Sequence, residues 1–174
     1  MALKRGIVEL SSHDIRWKDE YKKEEELLKT VLGDMIIEIH HVGSTSVDGL
    51  SAKPIIDILV VIEDLSLIYE IEKILNKYQY TNMGQHDIDD QYFFAKGSDD
   101  ARTHYIHFTI PNSDTYYNLI YFKRYLVEHE DYKKRYMKLK EELVLKYKNE
   151  RKKYTLAKKD FIREVISLAK KEYN

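Results

Sequence analysis

Gly43, Ser44 and Thr45 follow directly on the strand-like segment that ends at Val42. A glycine lets backbone N–H groups come close to a ligand, and two hydroxyls add further donors. Such a turn can therefore hold a phosphate, although the same tripeptide also builds ordinary turns. Asp57 is the second signal, because it stands inside the apolar run PIIDILVVI. A carboxylate is costly to bury unless a cation or hydrogen bonds compensate it. Facing a phosphate-binding turn, a strand carboxylate brings Mg²⁺ and a nucleoside triphosphate together. Otherwise it accepts backbone N–H bonds or pairs with Lys53 or Arg102. The third signal is the stretch RTHYIHF from Arg102. Strand alternation puts Arg102, His104 and Ile106 on one face, where the first two can meet an anion together; Thr103, Tyr105 and His107 point the other way. His40 and His41 likewise point to opposite faces. Histidines on strands are more often structural than catalytic.

These residues need elements to position them. Ser11 or Ser12 reads as the N-cap of a first helix, with Asp14 in its opening turn. Trp17, Tyr21, Leu28, Val31 and Leu32 recur at helical spacing, and Gly33 ends the pattern. Met35–Val42 has strand character. Pro54–Ile62 reads as a strand buried on both faces. Asp64 caps a second helix that carries Leu67, Ile71, Ile74 and Leu75 on one face. Three short β-rich segments follow at Tyr78–Met83, Gln91–Ala95 and Thr103–Ile110. The polar link KGSDDAR makes a hairpin of the last two. Helical patterns then cover about Ser113–His129, Asp131–Asn149 and Ala157–Glu172. Helix, sheet and helical C-terminus in that order predict one α+β domain, with a sheet core over 1–112 and a helical part over 113–174.

The chain has 174 residues, 43% of them hydrophobic and 34% charged, which suits a compact core with a wet surface. No apolar run approaches the ~20 residues of a membrane span. The opening MALKRGIVEL lacks the apolar segment of a signal peptide, so the sequence reads as cytoplasmic and free of membrane contact. It has no Cys, which excludes disulfides, thiolate metal sites and Cys nucleophiles. From Lys123 onward there are 17 Lys/Arg against 9 Asp/Glu, and 12 against 21 before it. That basic third can attract nucleotides or RNA, although its plainer reading is the solvated faces of helices. The 15 Tyr mostly fall at helical spacing, which packing explains better than base stacking does.

Together these signals resemble the GrpB family of the nucleotidyltransferase superfamily, the polymerase-β-like class. The resemblance rests on residues 41–47 (HVGSTSV), 49–58 (GLSAKPIIDI), Arg102-Thr103-His104 and His107. Trp17, Phe122–Tyr125, Tyr154, Lys158 and Phe161 also match. It implies a small mixed sheet of about five strands with an N-terminal helix and three C-terminal helices. The implied activity moves a nucleotidyl group from a nucleoside triphosphate to an acceptor with Mg²⁺. Asp57 would be the metal ligand, and catalysis would fall to Asp57, His104 and His107. Gly43, Ser44, Thr45, Lys53 and Arg102 would bind the substrate. The sequence departs from the family at Leu59, where the superfamily's second carboxylate stands, and at His40 and Asp48. Leu59 motivates an alternative, a non-catalytic binder of a nucleotide or coenzyme A-related ligand. Some GrpB-like domains are fused to dephospho-CoA kinase, an association that points the same way. A third reading lets the basic C-terminal helices contact RNA or a protein partner.

Overall fold

Asp14 opens the first helix. In the computed structural model, which describes residues 6–174, its carboxylate accepts the Arg16 backbone N–H at 2.9 Å, and helix α1 runs Arg16–Leu32. The reading of residues 1–5 as part of a leaderless N-terminus lies outside the described residues. Neither Ser11 nor Ser12 caps α1, contrary to the expectation. Ser11 instead exchanges two backbone hydrogen bonds with Ala52, which tie the N-terminal segment to the loop before Asp57. The helical stripe buries Trp17, Leu28 and Leu32, and Gly33 closes the helix with its N–H on the Lys29 carbonyl.

Five strands follow, β1 Glu38–Val42, β2 Ile56–Val61, β3 Tyr80–Asn82, β4 Gln91–Lys96 and β5 His104–Thr109, with helix α2 Ile68–Leu75 between β2 and β3. Their order across the sheet is β1-β2-β5-β4-β3. β2 and β5 run parallel and the other neighbours antiparallel, so the sheet is mixed as expected. β4 and β5 form the expected hairpin. Its connection is held by the Arg102 guanidinium, which donates to the Gly97 carbonyl and the Asp99 carboxylate.

Alternation along β2 divides the sheet. Ile56, Ile58 and Val60 join Ile106, Phe108 and Phe94 against α1 and α2 in the larger core cluster. That covered face also holds a charged cluster. Glu24 of α1 is 5% exposed; Lys96 donates to both its oxygens at 2.8 Å and the Tyr80 hydroxyl donates at 2.7 Å. Asp57, Leu59 and Val61 face the other way with Tyr105, His107 and Thr109 of β5, their register partners.

The C-terminal part lies on that second face. It comprises α3 Asp114–Glu128, α4 Glu130–Lys146, α5 Arg151–Ala157 and α6 Lys159–Tyr173. Ser113 caps α3 by accepting the Tyr116 N–H at 3.1 Å. Three of these helices match the periodic stretches, and α5 is an addition. Seven residues cover barely two turns, too few for an apolar stripe to stand out. Val47, Leu50, Tyr125, Leu126, Tyr136, Val165 and Ala169 form a second core cluster, which binds α3, α4 and α6 to the loop leading into β2. No helix among the described residues is long and apolar enough to cross a membrane.

Candidate functional site

The turn after β1 is shaped by contact with Asp57. Gly43 has φ 71° and ψ −175°, a region essentially restricted to glycine. A Cβ there would lie 2.5 Å from Asp57 Oδ2. The backbone therefore rests directly on the carboxylate, and Ser44–Ser46 coil into one 3₁₀ turn behind it. His41 supports the turn from below. Its Nε2 meets Thr45 Oγ1 at 2.9 Å, its ring stacks on Tyr21 at 4.7 Å, and both His41 and Thr45 are buried. Burial, with Lys123 nearby, pushes the His41 imidazole down to about 4, so it is neutral at pH 7. Thr45→Val keeps the shape but leaves a buried ring nitrogen unpaired. The expected loss is about 1–2 kcal/mol, read as a lower denaturant midpoint at unchanged m-value.

Lysines from the C-terminal helices clamp the same loop. Lys123 of α3 donates to the His41 carbonyl at 2.8 Å, and Lys133 of α4 to the Asp48 carbonyl at 3.3 Å. Lys140 of α4 donates to Ser44 Oγ at 3.1 Å and to the Ser51 carbonyl. Between this loop, strands β2 and β5, and α3–α6 lies a cavity of about 430 Å³. Its polar wall is Gly43, Ser44, Thr45, Lys53, Asp57, His107, Lys140 and Lys158. Leu119, Phe122, Ile162 and Ile166 supply much of its apolar wall. Asp57 is the one carboxylate on the lining.

The three amines are held in unusual surroundings. Burial is the main cause that lowers each of them, followed by Lys158 and Arg151 for Lys53, by Lys158 and Lys53 for Lys140, and by Arg151 for Lys158. Lys53 falls to about 7, Lys140 to about 7 and Lys158 to about 8; Asp57 acts in the opposite direction on Lys53 and Lys158. Lys53 and Lys158 both lie over the Tyr154 ring, at 5.6 and 4.5 Å from its centroid. Tyr154 is fully buried, and its hydroxyl has no hydrogen-bond partner. When protonated, these three amines outnumber the one carboxylate on the lining, which gives the cavity an excess of positive charge.

Of the residues picked out from sequence, Gly43, Ser44, Thr45, Lys53, Asp57 and His107 meet around this cavity. His107 Nε2 lies 3.9 Å from Asp57 Oδ1, and its Nδ1 is 3.3 Å from Gln91 Oε1. His104 and Arg102 stand elsewhere. His104 is on the α1 face, with Nδ1 2.9 Å from Thr103 Oγ1 and Nε2 3.8 Å from Glu24. Arg102 faces the hairpin connection rather than an anion site shared with His104. His40 and His41 do point to opposite faces: His40 meets Glu38 at 2.7 Å and the edge of Tyr116, whereas His41 packs on α1.

Lys140 went unnoticed in the sequence, and Lys158 stood out there only as a match to the family. Each carries a local signal, because Tyr136–Lys140–Leu143 and Tyr154–Lys158–Ile162 place a lysine on an apolar helical stripe. Mg²⁺ was expected on Asp57. The donor set fits it poorly, since Leu59 is fully buried at the second carboxylate position and three amines share the cavity lining with the remaining one. Among the described residues, no group of three or more His, Cys, Asp or Glu could hold a metal ion.

The family model for GrpB protein matches residues 7–168. The chain belongs to the GrpB family. It is 34% identical to the glutamate-rich protein GrpB of Alkalihalophilus pseudofirmus, covering 96% of this chain and 98% of that one. The crystal structure of conserved protein GrpB from Enterococcus faecalis superposes with a TM-score of 0.89 at 28% identity, over 95% of this chain and 99% of that chain. The GrpB fold is thus shared across nearly the whole length. Cid1, solved with the UTP analog UMPNPP, superposes at a TM-score of only 0.43 and 14% identity, over 71% of this chain and 43% of that chain. A likeness that weak carries no statement about this GrpB protein.

Proposed function

We propose that this GrpB protein binds a small phosphorylated ligand of the nucleotide or coenzyme A type in the cavity between its sheet and its C-terminal helices. One observation carries the reading, the convergence of Lys53, Lys140 and Lys158 on a cavity whose lining has a single carboxylate. The apolar wall then takes the organic body of the ligand, and Ser44 and the Gly43 turn take phosphate oxygens alongside the amines. A panel of nucleotides and coenzyme A fragments, run as a thermal-shift screen and followed by calorimetric titration, tests it. Stabilisation by phosphorylated members and none by the parent nucleosides is expected. Equal response to both would contradict the proposal.

A second reading, nucleotidyl transfer from a nucleoside triphosphate to an unidentified acceptor, is favoured by the approach of His107 to Asp57. A carboxylate beside an imidazole can take the proton of an attacking hydroxyl, while the amines hold the charge that develops on the phosphates. Labelled nucleoside triphosphate offered with candidate acceptors would reveal transfer. Asp57→Asn preserves shape but removes the base, so it should lower the transfer rate by about a hundredfold or more while leaving ligand affinity within a few-fold. Transfer unchanged in Asp57→Asn would remove Asp57 from the reaction.

A further inference from the structure

We propose that the cavity takes its phosphorylated ligand free of divalent metal, with the amines of Lys53, Lys140 and Lys158 supplying the positive charge that Mg²⁺ would otherwise bring. The inference rests on the phosphorylated-ligand reading above and specifies the ionic form of that ligand.

Mg²⁺ needs several hard oxygen ligands in near-octahedral array and commonly takes one or two carboxylates from the protein. This lining offers only Asp57, and the residue two positions along β2 on the same face is the fully buried Leu59. A dication on Asp57 would also face amines that already repel one another. The opposite charge balance favours a naked anion. Three ammonium groups come from three separate parts of the chain, the loop before β2, α4 and the α5–α6 junction. Lys140 already touches the Ser44 hydroxyl of the Gly43 turn, so a cation stands at the place where a phosphate would settle.

Tyr154 adds an independent observation. It is fully buried with the amines of Lys53 and Lys158 over its ring, lines the cavity, and its hydroxyl is unpaired. A buried hydroxyl without a partner is costly. A phosphate oxygen brought between the two lysines would accept its hydrogen bond. The four groups therefore form a built site for an oxyanion carrying at least two charges. Phe122 and Ile162, on the same lining, favour a phosphate borne on an apolar or aromatic body over a bare inorganic ion.

Calorimetric titration of the purified protein with ADP, first in excess EDTA and then in excess MgCl₂, tests this. Binding in EDTA is expected to be at least as tight as with Mg²⁺, because the metal competes with the lysines for the same oxygens. Inorganic pyrophosphate should bind more weakly than ADP. Lys140→Met should weaken ADP binding in EDTA about tenfold or more; should that variant fail to fold, Lys158→Met at its partly exposed site reads the same loss. ADP binding only when Mg²⁺ is present would overturn the metal-free site and leave the ligand-binding function standing. Binding of ADP in neither condition, together with no response to any phosphorylated compound in the thermal screen, would overturn both.

Discussion

Gly43→Ala is expected to destabilise the protein by about 3–4 kcal/mol and to abolish measurable ligand binding. Two penalties combine. A Cβ at φ 71° and ψ −175° is strained in itself, and its nearest neighbours would be Asp57 Oδ2 at 2.5 Å and Asp57 Cβ at 2.9 Å. Asp57 sits on the interior strand β2, which is paired on both sides with β1 and β5, so it has little freedom to retreat. The turn must then lift away, which carries Ser44 out of reach of Lys140 and opens the wall of the cavity. Gly84→Ala is the control: its φ is 85° but nothing lies within 4 Å of the added Cβ, so it shows backbone strain alone. Combining Gly43→Ala with Asp57→Ala should recover at least about 1 kcal/mol relative to additivity. Urea unfolding of the wild type, the Gly43→Ala and Asp57→Ala single mutants, their double mutant and the Gly84→Ala control measures all these terms. An additive double mutant would show that the turn does not lean on Asp57.

The ligand-free protein should become more stable as pH rises from 7 to 9, by a few kcal/mol in all. The sign follows from where the protons sit. In the unfolded chain each lysine titrates near 10.5, whereas in the folded protein Lys53 and Lys140 titrate at about 7 and Lys158 at about 8. Between those values the unfolded chain holds more protons, so raising the pH favours the folded state. The burden of the charged amines is full below pH 7 and is relieved progressively up to about 10.5. From about pH 10 upward the trend reverses, because Tyr21 and Tyr154 are held well above their ordinary value by burial. A bound phosphate keeps the amines charged, so a saturating ligand should flatten the rise and bind more weakly as pH increases. Lys140→Met should remove its share of the slope. Chemical denaturation at several pH values reads this directly, and flat or falling stability between pH 7 and 9 would contradict the buried-amine site.

Much of the sheet was legible because strand signals are local. The apolar run ending at Ile62 marked a strand buried on both faces, the link KGSDDAR marked a hairpin, and Ser113 marked the start of α3. The first helix start was misjudged because several capping residues stood in a row. Ile15 stands at the cap position without a side-chain cap, Asp14 accepts the Arg16 N–H just before the helix, and Ser11 pairs with Ala52. At the site, alternation correctly separated His104 from His107. Which of the two faces belonged with Asp57 depended on the parallel pairing of β2 with β5, and nothing near either strand in sequence reveals that register. Lys140 and Lys158 were hidden for a similar reason. They reach Gly43–Asp57 only through helices packed across some hundred residues of chain, and Lys-rich helices ordinarily display their charges to solvent.

The most direct test of the account is a crystal structure grown with ADP in the absence of divalent metal. Diphosphate oxygens are expected about 2.7–3.1 Å from the Nζ atoms of Lys53, Lys140 and Lys158, with the Tyr154 hydroxyl donating to one of them and adenine against Phe122 and Ile162. ADP seated anywhere else, such as the outer faces of α4 and α6, or a cavity left without the nucleotide at saturating concentration, would contradict it.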